Sequence, residues 1–271
     1  MLKSLKLLVG SELERIGREV NSKVFHCPQK SLNFPFNWSD YSFGIVSSFS
    51  LFIPSRIIDQ IPLINIHPSL LPQWRGPAPI QYTLLHGQDR TGVSIINLHP
   101  KVIDAGHILL QESCQIHKPH TIGYTELEAQ LAEIGGRLAA TVLSDYDKYN
   151  AAKQEQGLDF VTHSRKISKT DGIISFKTDS FDQISRKVRA LSHQIPIRTL
   201  DLIAGKQVIL EDITLHNEAK TSAYDCYYDK SNSSVVFKVD SKFISVRKFK
   251  IEGKSQIFPA GSFYSNYLKS K

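Results

Sequence analysis

Apolar and polar positions change rhythm twice along this chain. Short apolar runs at Phe43–Phe49, Leu63–Ile66, Gly92–Leu98 and Ile108–Ile116 are each bounded by turn residues and predict strands. Between the second and third, Pro79–His86 has helical apolar spacing with a proline at its start. Leu127, Leu131, Ile134, Leu138 and Val142 form one stripe, and Thr125 with Glu128 has capping-box spacing ahead of it. That predicts a longer helix. Strands alternating with helices predict an α/β domain with a largely parallel sheet.

From Ser144 to about Ser164 the apolar pattern lapses, which reads as a helix tail followed by a linker. Beyond it the texture turns β-rich, with short runs at Gly172–Lys177, Lys206–Leu210, Ser234–Val239 and Phe243–Phe249. One helix is predicted at Phe181–Leu191, capped by Asp179 or Ser180. Strands without helices between them suggest a small barrel or sandwich. The expected organisation is a domain over 1–150, a linker over 151–164 and a second domain over 165–271. At the front, Met1–Val20 has helical apolar spacing, through Leu5, Leu8 and Val9. It fits a surface helix or a mitochondrial leader, and Glu12, Glu14 and Glu19 favour the first.

Composition narrows the class. Of the 271 residues, 41% are hydrophobic and 22% charged, which excludes a disordered or fibrous chain. No apolar run approaches the roughly 18–20 residues of a membrane-spanning helix, so no membrane role is expected. Cys27, Cys114 and Cys226 lie too far apart for a disulfide framework or a metal site. With no secretory leader evident, a reducing compartment is expected. The net charge of +7 is unevenly placed: residues 1–162 hold 14 basic against 15 acidic side chains, and residues 163–271 hold 19 against 11. A basic second half suggests contact with a polyanion.

The stretch Ile64–Gln81, INIHPSLLPQWRGPAPIQ, carries the candidate chemistry. Asn65 and His67 end a buried strand two residues apart, so they share a face, and ligands of open α/β sheets sit at strand carboxyl ends. Asp104, in the turn Val102–Gly106, supplies a carboxylate, and Gly106 is expected to take an unusual backbone angle there. An amide, an imidazole and a carboxylate suit acyl transfer through a tetrahedral intermediate. A strand-end histidine is also a common structural feature, and no serine or cysteine nucleophile elbow is present. His117 and His120 imitate a metal pair, but Pro119 breaks the helix that would align them. No metal is expected.

The run Asn65-Ile66-His67-Pro68-Ser69-Leu70-Leu71-Pro72, then Trp74-Arg75-Gly76 and Ala78-Pro79-Ile80, resembles the folate-dependent formyltransferases. Thr91-Gly92-Val93 and Asp104-Ala105-Gly106 match the downstream signature of that family. Ser168-Lys169, Ile173–Phe176, Arg186–Leu191 and Phe258–Phe263 resemble its C-terminal part. The likeness is greatest to the branch acting on initiator methionyl-tRNA. It implies an α/β, Rossmann-like formyltransferase domain plus a C-terminal OB-like β-barrel that helps hold tRNA.

By this resemblance, Asn65 and His67 polarise the formyl oxygen of 10-formyltetrahydrofolate and Asp104 serves proton transfer. The folate lies against Leu51, Phe52, Ile53, Ser69, Leu70, Leu71 and Pro72. Arg75, Lys166, Lys169 and Arg189 are the candidate tRNA contacts. The nucleophile is the substrate's own α-amino group, of which a fair fraction is neutral near pH 7. A monomer in the mitochondrial matrix is expected, with a bacterial cytoplasm as the alternative.

The likeness is imperfect at the front. The family begins with a strand, a Gly-rich turn and a second strand before anything like Val24–Pro28, so the catalytic domain is expected to be incomplete at its N-terminus. One extra residue also lies between His67 and Asp104, around His99-Pro100-Lys101. Two other functions stay open: another 10-formyltetrahydrofolate-dependent transferase or hydrolase, and an inactive RNA-binding relative.

Overall fold

A computed structural model describes residues 6–7, 24–25, 37–49, 52–216 and 225–269. The chain divides into two compact units. One comprises residues 1–79, 90–115 and 128–166, the other residues 80–89, 116–127 and 167–271. At the front, β1 (Lys6–Leu7) pairs in parallel with β2 (Val24–Phe25). A strand therefore stands inside the stretch predicted as helix, and the rest of Met1–Val20 lies outside the described residues, as does Cys27.

The first unit is built on a four-stranded sheet in the order β3-β4-β5-β6. These strands are Gly44–Val46, Leu63–His67, Arg90–Asn97 and Ile108–Gln115. The sheet is not the largely parallel one that the alternation of strands and helices predicts. β3 and β4 run parallel, but β4 with β5 and β5 with β6 are antiparallel. Residues 98–107 are too few to contain a crossover helix, so β6 has to return antiparallel. Thr91 to Ile96 are all buried, whereas β6 buries Leu109 and from Leu110 on alternates between half-buried and exposed positions, as a sheet edge does.

Two short helices, α1 (Ser55–Ile58) and α2 (Pro79–Leu85), flank β4 in the sequence. Residues 80–85 of α2 belong to the second unit. The long helix α3 covers Tyr124–Ser144. Leu127, Leu131, Leu138 and Val142 of its predicted stripe are buried, and Ile134 is half-buried. Gly135 lets it approach Ile66 and Val93. Thr125 lies inside its first turn, and the Gly123 carbonyl accepts from Leu127 N at 3.1 Å, so the helix starts before the predicted cap. A further helix, α4, covers Tyr146–Ala151.

In the second unit the strand order is β10-β11-β12-β9-β8-β7, with β13 on β12. β7 is Ile173–Ile174, β8 Ile197–Ile203, β9 Lys206–His216 and β10 Cys226–Asp229. β11 is Ser234–Val239, β12 Lys242–Ile251 and β13 Ile257–Pro259. Only β7 with β8 is parallel. Among the described residues these ladders form an open path, and no pairing closes a barrel. The predicted strand Gly172–Lys177 shortens to Ile173–Ile174. Before it, Lys169–Gly172 forms a 3₁₀ turn capped by Ser168 and Asp171.

The predicted helix stands as α5, Phe181–Leu191. Ser180 Oγ accepts from Gln183 N at 3.2 Å, and Gln183 Oε1 accepts from Ser180 N at 2.8 Å. Phe243, Phe249 and Phe263 fill the core, the last two stacked at 4.2 Å. A short helix, α6 (Ala260–Phe263), brings Phe263 to that stack.

Candidate active site

The site is built entirely within the first unit. β4 carries Asn65 and His67, and its register sets His67 opposite Ser94 of β5. The pleat turns both side chains to one face. Asp104 meets them from the β5–β6 turn. Its Oδ1 accepts from Asn65 Nδ2 at 3.1 Å, its Oδ2 accepts from Gly76 N at 2.9 Å, and Oδ2 lies 3.6 Å from His67 Nδ1. His67 Nε2 is 3.0 Å from the Trp74 carbonyl oxygen. The His67 and Asp104 side chains are only 5% and 11% exposed, so their interaction is poorly screened by solvent.

Burial pushes the His67 imidazole below the usual histidine range, while Asp104 and the Trp74 carbonyl pull it upward. The unfolded chain therefore binds a proton here at a pH where the folded chain does not. This contribution makes stability fall as the pH drops below about 6.5. Urea unfolding at about pH 7.5 and about pH 5.5 measures it, and His67→Gln is expected to lose less stability between them.

The loop that presents Asp104 differs from the sequence expectation. The left-handed angle belongs to Asp104 itself, at φ 54°, and not to Gly106. Aspartate tolerates that region better than most residues. Gly106 is required for space: a Cβ there would fall on the Asn97 carbonyl oxygen. Gly76 combines both needs, with φ 115° and the Ser164 carbonyl where a Cβ would stand.

Of the seven folate candidates, Ser69–Pro72 form a knitted wall. Ser69 Oγ donates to the Gln73 carbonyl at 2.6 Å, and Ser94 Oγ donates to the Ser69 carbonyl at 2.7 Å. Leu71 N donates to Ser94 Oγ at 3.1 Å. Ser69 and Leu71 are buried, Leu70 and Pro72 half-buried. Ile53 packs against the cluster of Ile57, Ile61 and Leu63. Phe52 is 46% exposed. Leu51 lies outside the described residues.

The four tRNA candidates separate. Lys166 and Lys169 are exposed. Arg189 is buried, with Nη1 donating to the Ile122 carbonyl at 2.9 Å and Nε to Ser185 Oγ at 3.3 Å. Its charge is turned inward, away from the exposed basic surface. Arg75 is half-buried and donates through Nε and Nη2 to Gln156 Oε1 at 2.9 and 2.7 Å. That partner is a neutral amide, so the guanidinium is fixed in place without its charge being cancelled.

Residues of the expected linker complete the site. Gln156 Nε2 donates to the carbonyls of Asp104 and Gly106, both at 2.8 Å. Thr162 Oγ1 accepts from Trp74 N at 2.9 Å, and Ser164 Oγ accepts from Ala78 N at 3.1 Å. None of these has an apolar period to mark it. Their one signal in the sequence is the cluster of amides and hydroxyls itself. Among the described residues, no group of three His, Cys, Asp or Glu side chains is placed to hold a metal ion.

Two family models account for most of the chain: formyl transferase over residues 40–143, and formyl transferase, C-terminal domain, over residues 166–266. The chain belongs to the formyl transferase family. The first model contains Asn65, His67 and Asp104, so the cluster lies in the domain that names the family. Methionyl-tRNA formyltransferase of human mitochondria is 32% identical over 249 residues, covering 86% of this chain and 62% of that protein. Methionyl-tRNA formyltransferase of Ehrlichia canis (strain Jake) is 41% identical over 149 residues, covering 54% of this chain and 46% of the relative. The chain thus spans about 62% of the length of the mitochondrial relatives it matches.

Solved structures agree on the fold. HypX from Aquifex aeolicus, in complex with tetrahydrofolic acid, superposes with a TM-score of 0.66 at 15% identity, over 84% of this chain and 40% of that one. The sugar 3N-formyl transferase WlaRD gives 0.59 at 17% identity, over 89% and 82%.

Proposed function

We propose that this chain transfers the formyl group of 10-formyltetrahydrofolate to the α-amino group of methionine on initiator tRNA. The observation that carries the reading is the Asn65–His67–Asp104 cluster, held at a strand end where an acyl oxygen can be bound. Identity of 30–32% to mitochondrial methionyl-tRNA formyltransferases supports this choice of acceptor. In the reaction, the neutral amine attacks the formyl carbon and the carbonyl electrons move to oxygen. Asn65 has a second amide N–H left to give that oxygen, and His67, when protonated, adds a positive charge beside it. Collapse re-forms the C=O bond and expels N10 of the folate. The proton lost by the new C–N nitrogen passes to N10 through the Asp104–His67 pair.

Folate binding is assigned to the Ser69–Pro72 wall with Phe52 and Ile53. Exposed Val102 and Ile103, beside Asp104, add apolar surface suited to a pterin ring. Lys166 and Lys169 suit phosphate contacts, and Arg75 suits an anionic group near the reacting atoms. Residues 1–150 are taken as the catalytic part, 151–164 as a connecting strap, and 165–271 as the tRNA-holding part. The organelle of the mitochondrial relatives is the proposed location.

Purified chain given 10-formyltetrahydrofolate and methionyl-initiator tRNA is expected to yield formyl-methionyl-tRNA, separable from the unformylated form on an acid gel. A folded protein that left this tRNA unmodified, or that formylated an amino sugar nucleotide in its place, would end the proposal.

A further inference from the structure

We propose that Gln156 is a positioning residue for Asp104, holding the carboxylate through the backbone of the turn that carries it. The role rests on the formyl-transfer reading above and deepens it.

The chain puts Gln156 where its amide has little freedom. Two residues earlier, Gln154 exchanges a pair of backbone hydrogen bonds with Ile108 at the start of β6, 2.8 and 2.9 Å long. After it, Thr162 N donates to the Pro72 carbonyl at 3.3 Å and Ser164 N to the Arg75 carbonyl at 2.8 Å. The segment is therefore tied to the sheet on one side and to the Pro72–Gly76 loop on the other. Between these ties the Gln156 amide spans the gap. Its oxygen takes two N–H bonds from Arg75, and its nitrogen gives one bond each to the carbonyls of Asp104 and Gly106.

This arrangement leaves no ambiguity about which end of the amide is which. Arg75 has only donors and the two carbonyls only accept, so oxygen must face the first and nitrogen the second. No other side chain of this length can do both. Glutamate would keep the Arg75 side but has no N–H for the turn. Methionine would serve neither.

The turn needs such support. Asp104 sits at φ 54°, a conformation that costs a non-glycine residue free energy unless its surroundings hold it. The neck of the turn is closed by Asn97 N donating to the His107 carbonyl at 3.0 Å. Gln156 binds the Asp104 and Gly106 carbonyls of the same turn. With those bonds intact, the carboxylate stays aligned on Asn65, Gly76 N and His67. Without them it drifts from His67, and a displacement of about 1 Å near reacting groups is worth about a hundredfold in rate.

The decisive variant is Gln156→Glu, because it separates the two sides of the amide. If Gln156 served only to hold Arg75, this change would be neutral or favourable. The proposal expects kcat for formyl transfer to fall about ten- to a hundredfold, with KM for methionyl-tRNA little changed. It also expects the His67 imidazole, followed by NMR titration in the uncharged Gln156→Met variant, to move further below its wild-type value as the Asp104 carboxylate recedes. Gln156→Met should act the same way and serves if the glutamate variant does not fold. Wild-type kcat together with an unmoved His67 titration in a folded variant overturns the proposal, as does a rate loss without any change at His67. Lack of activity in the wild-type protein would instead overturn the formyl-transfer reading. The His67 titration would still decide the role of Gln156.

Discussion

Replacing His67 with alanine is expected to slow formyl transfer about 10²–10³-fold, the scale of losing one donor to a developing oxyanion. The geometry makes the residue hard to substitute. Its Nδ1 faces the Asp104 carboxylate at 3.6 Å and its Nε2 the Trp74 carbonyl at 3.0 Å. Removing the ring therefore takes away the cation that can form beside the oxyanion and leaves the buried Asp104 carboxylate without its imidazole neighbour. A single-turnover assay with saturating folate isolates the chemical step, and circular dichroism confirms that the variant is folded. A rate within about threefold of wild type would remove His67 from the mechanism, because an oxyanion donor contributes far more than that.

The second large effect is expected at Gly106. A methyl group there meets the Asn97 carbonyl oxygen, which is backbone at the end of β5 and cannot rotate away. Gly106→Ala is expected to cost about 1–3 kcal/mol of stability, the usual range for overpacking. It should also slow transfer about a hundredfold, because the same turn aims Asp104. Gly136 supplies the control. It lies on α3 with nothing close to its missing side chain, so Gly136→Ala should leave the rate unchanged and stabilise by up to about 1 kcal/mol. Thermal unfolding and initial rates of the two variants check the contrast. Equal behaviour would show that the Asp104 turn has room to spare.

Much of this was legible in the amino-acid order. Asn65 and His67 are two residues apart on a strand bounded by turns, so their shared face follows from the pleat alone. The helix Phe181–Leu191 was legible as well, with Asp179 or Ser180 as its cap, and the structure uses Ser180. Arg189, a candidate tRNA contact, has a spacing that is informative in itself. It lies four residues after Ser185 and eight after Phe181, both buried, and so falls on the inward face. The Ile122 carbonyl then supplies the partner that a buried cation requires.

Other features could not be read locally. β8 escaped because its ladder with β9 is irregular between Thr199 and Ile203, and a bulge there breaks the alternation that marks a strand. The sheet direction was not legible because helical spacing at Pro79–His86 between two strands predicts a parallel crossover. Most of α2 packs in the other unit, and the short 98–107 turn forces the next strand back.

The sequence by itself determined the chemistry on offer: an amide, an imidazole and a carboxylate, the proline-rich loop between them, and the basic second half. Local patterns encode these because backbone period and turn residues act over a few positions. Tertiary structure alone decided how the carboxylate is held. Gln156 stands 52 residues from Asp104 and 81 from Arg75, in a polar stretch with no period. Hydrogen bonds between such distant residues leave no repeat in the sequence, because only the folded chain brings their donors and acceptors within reach.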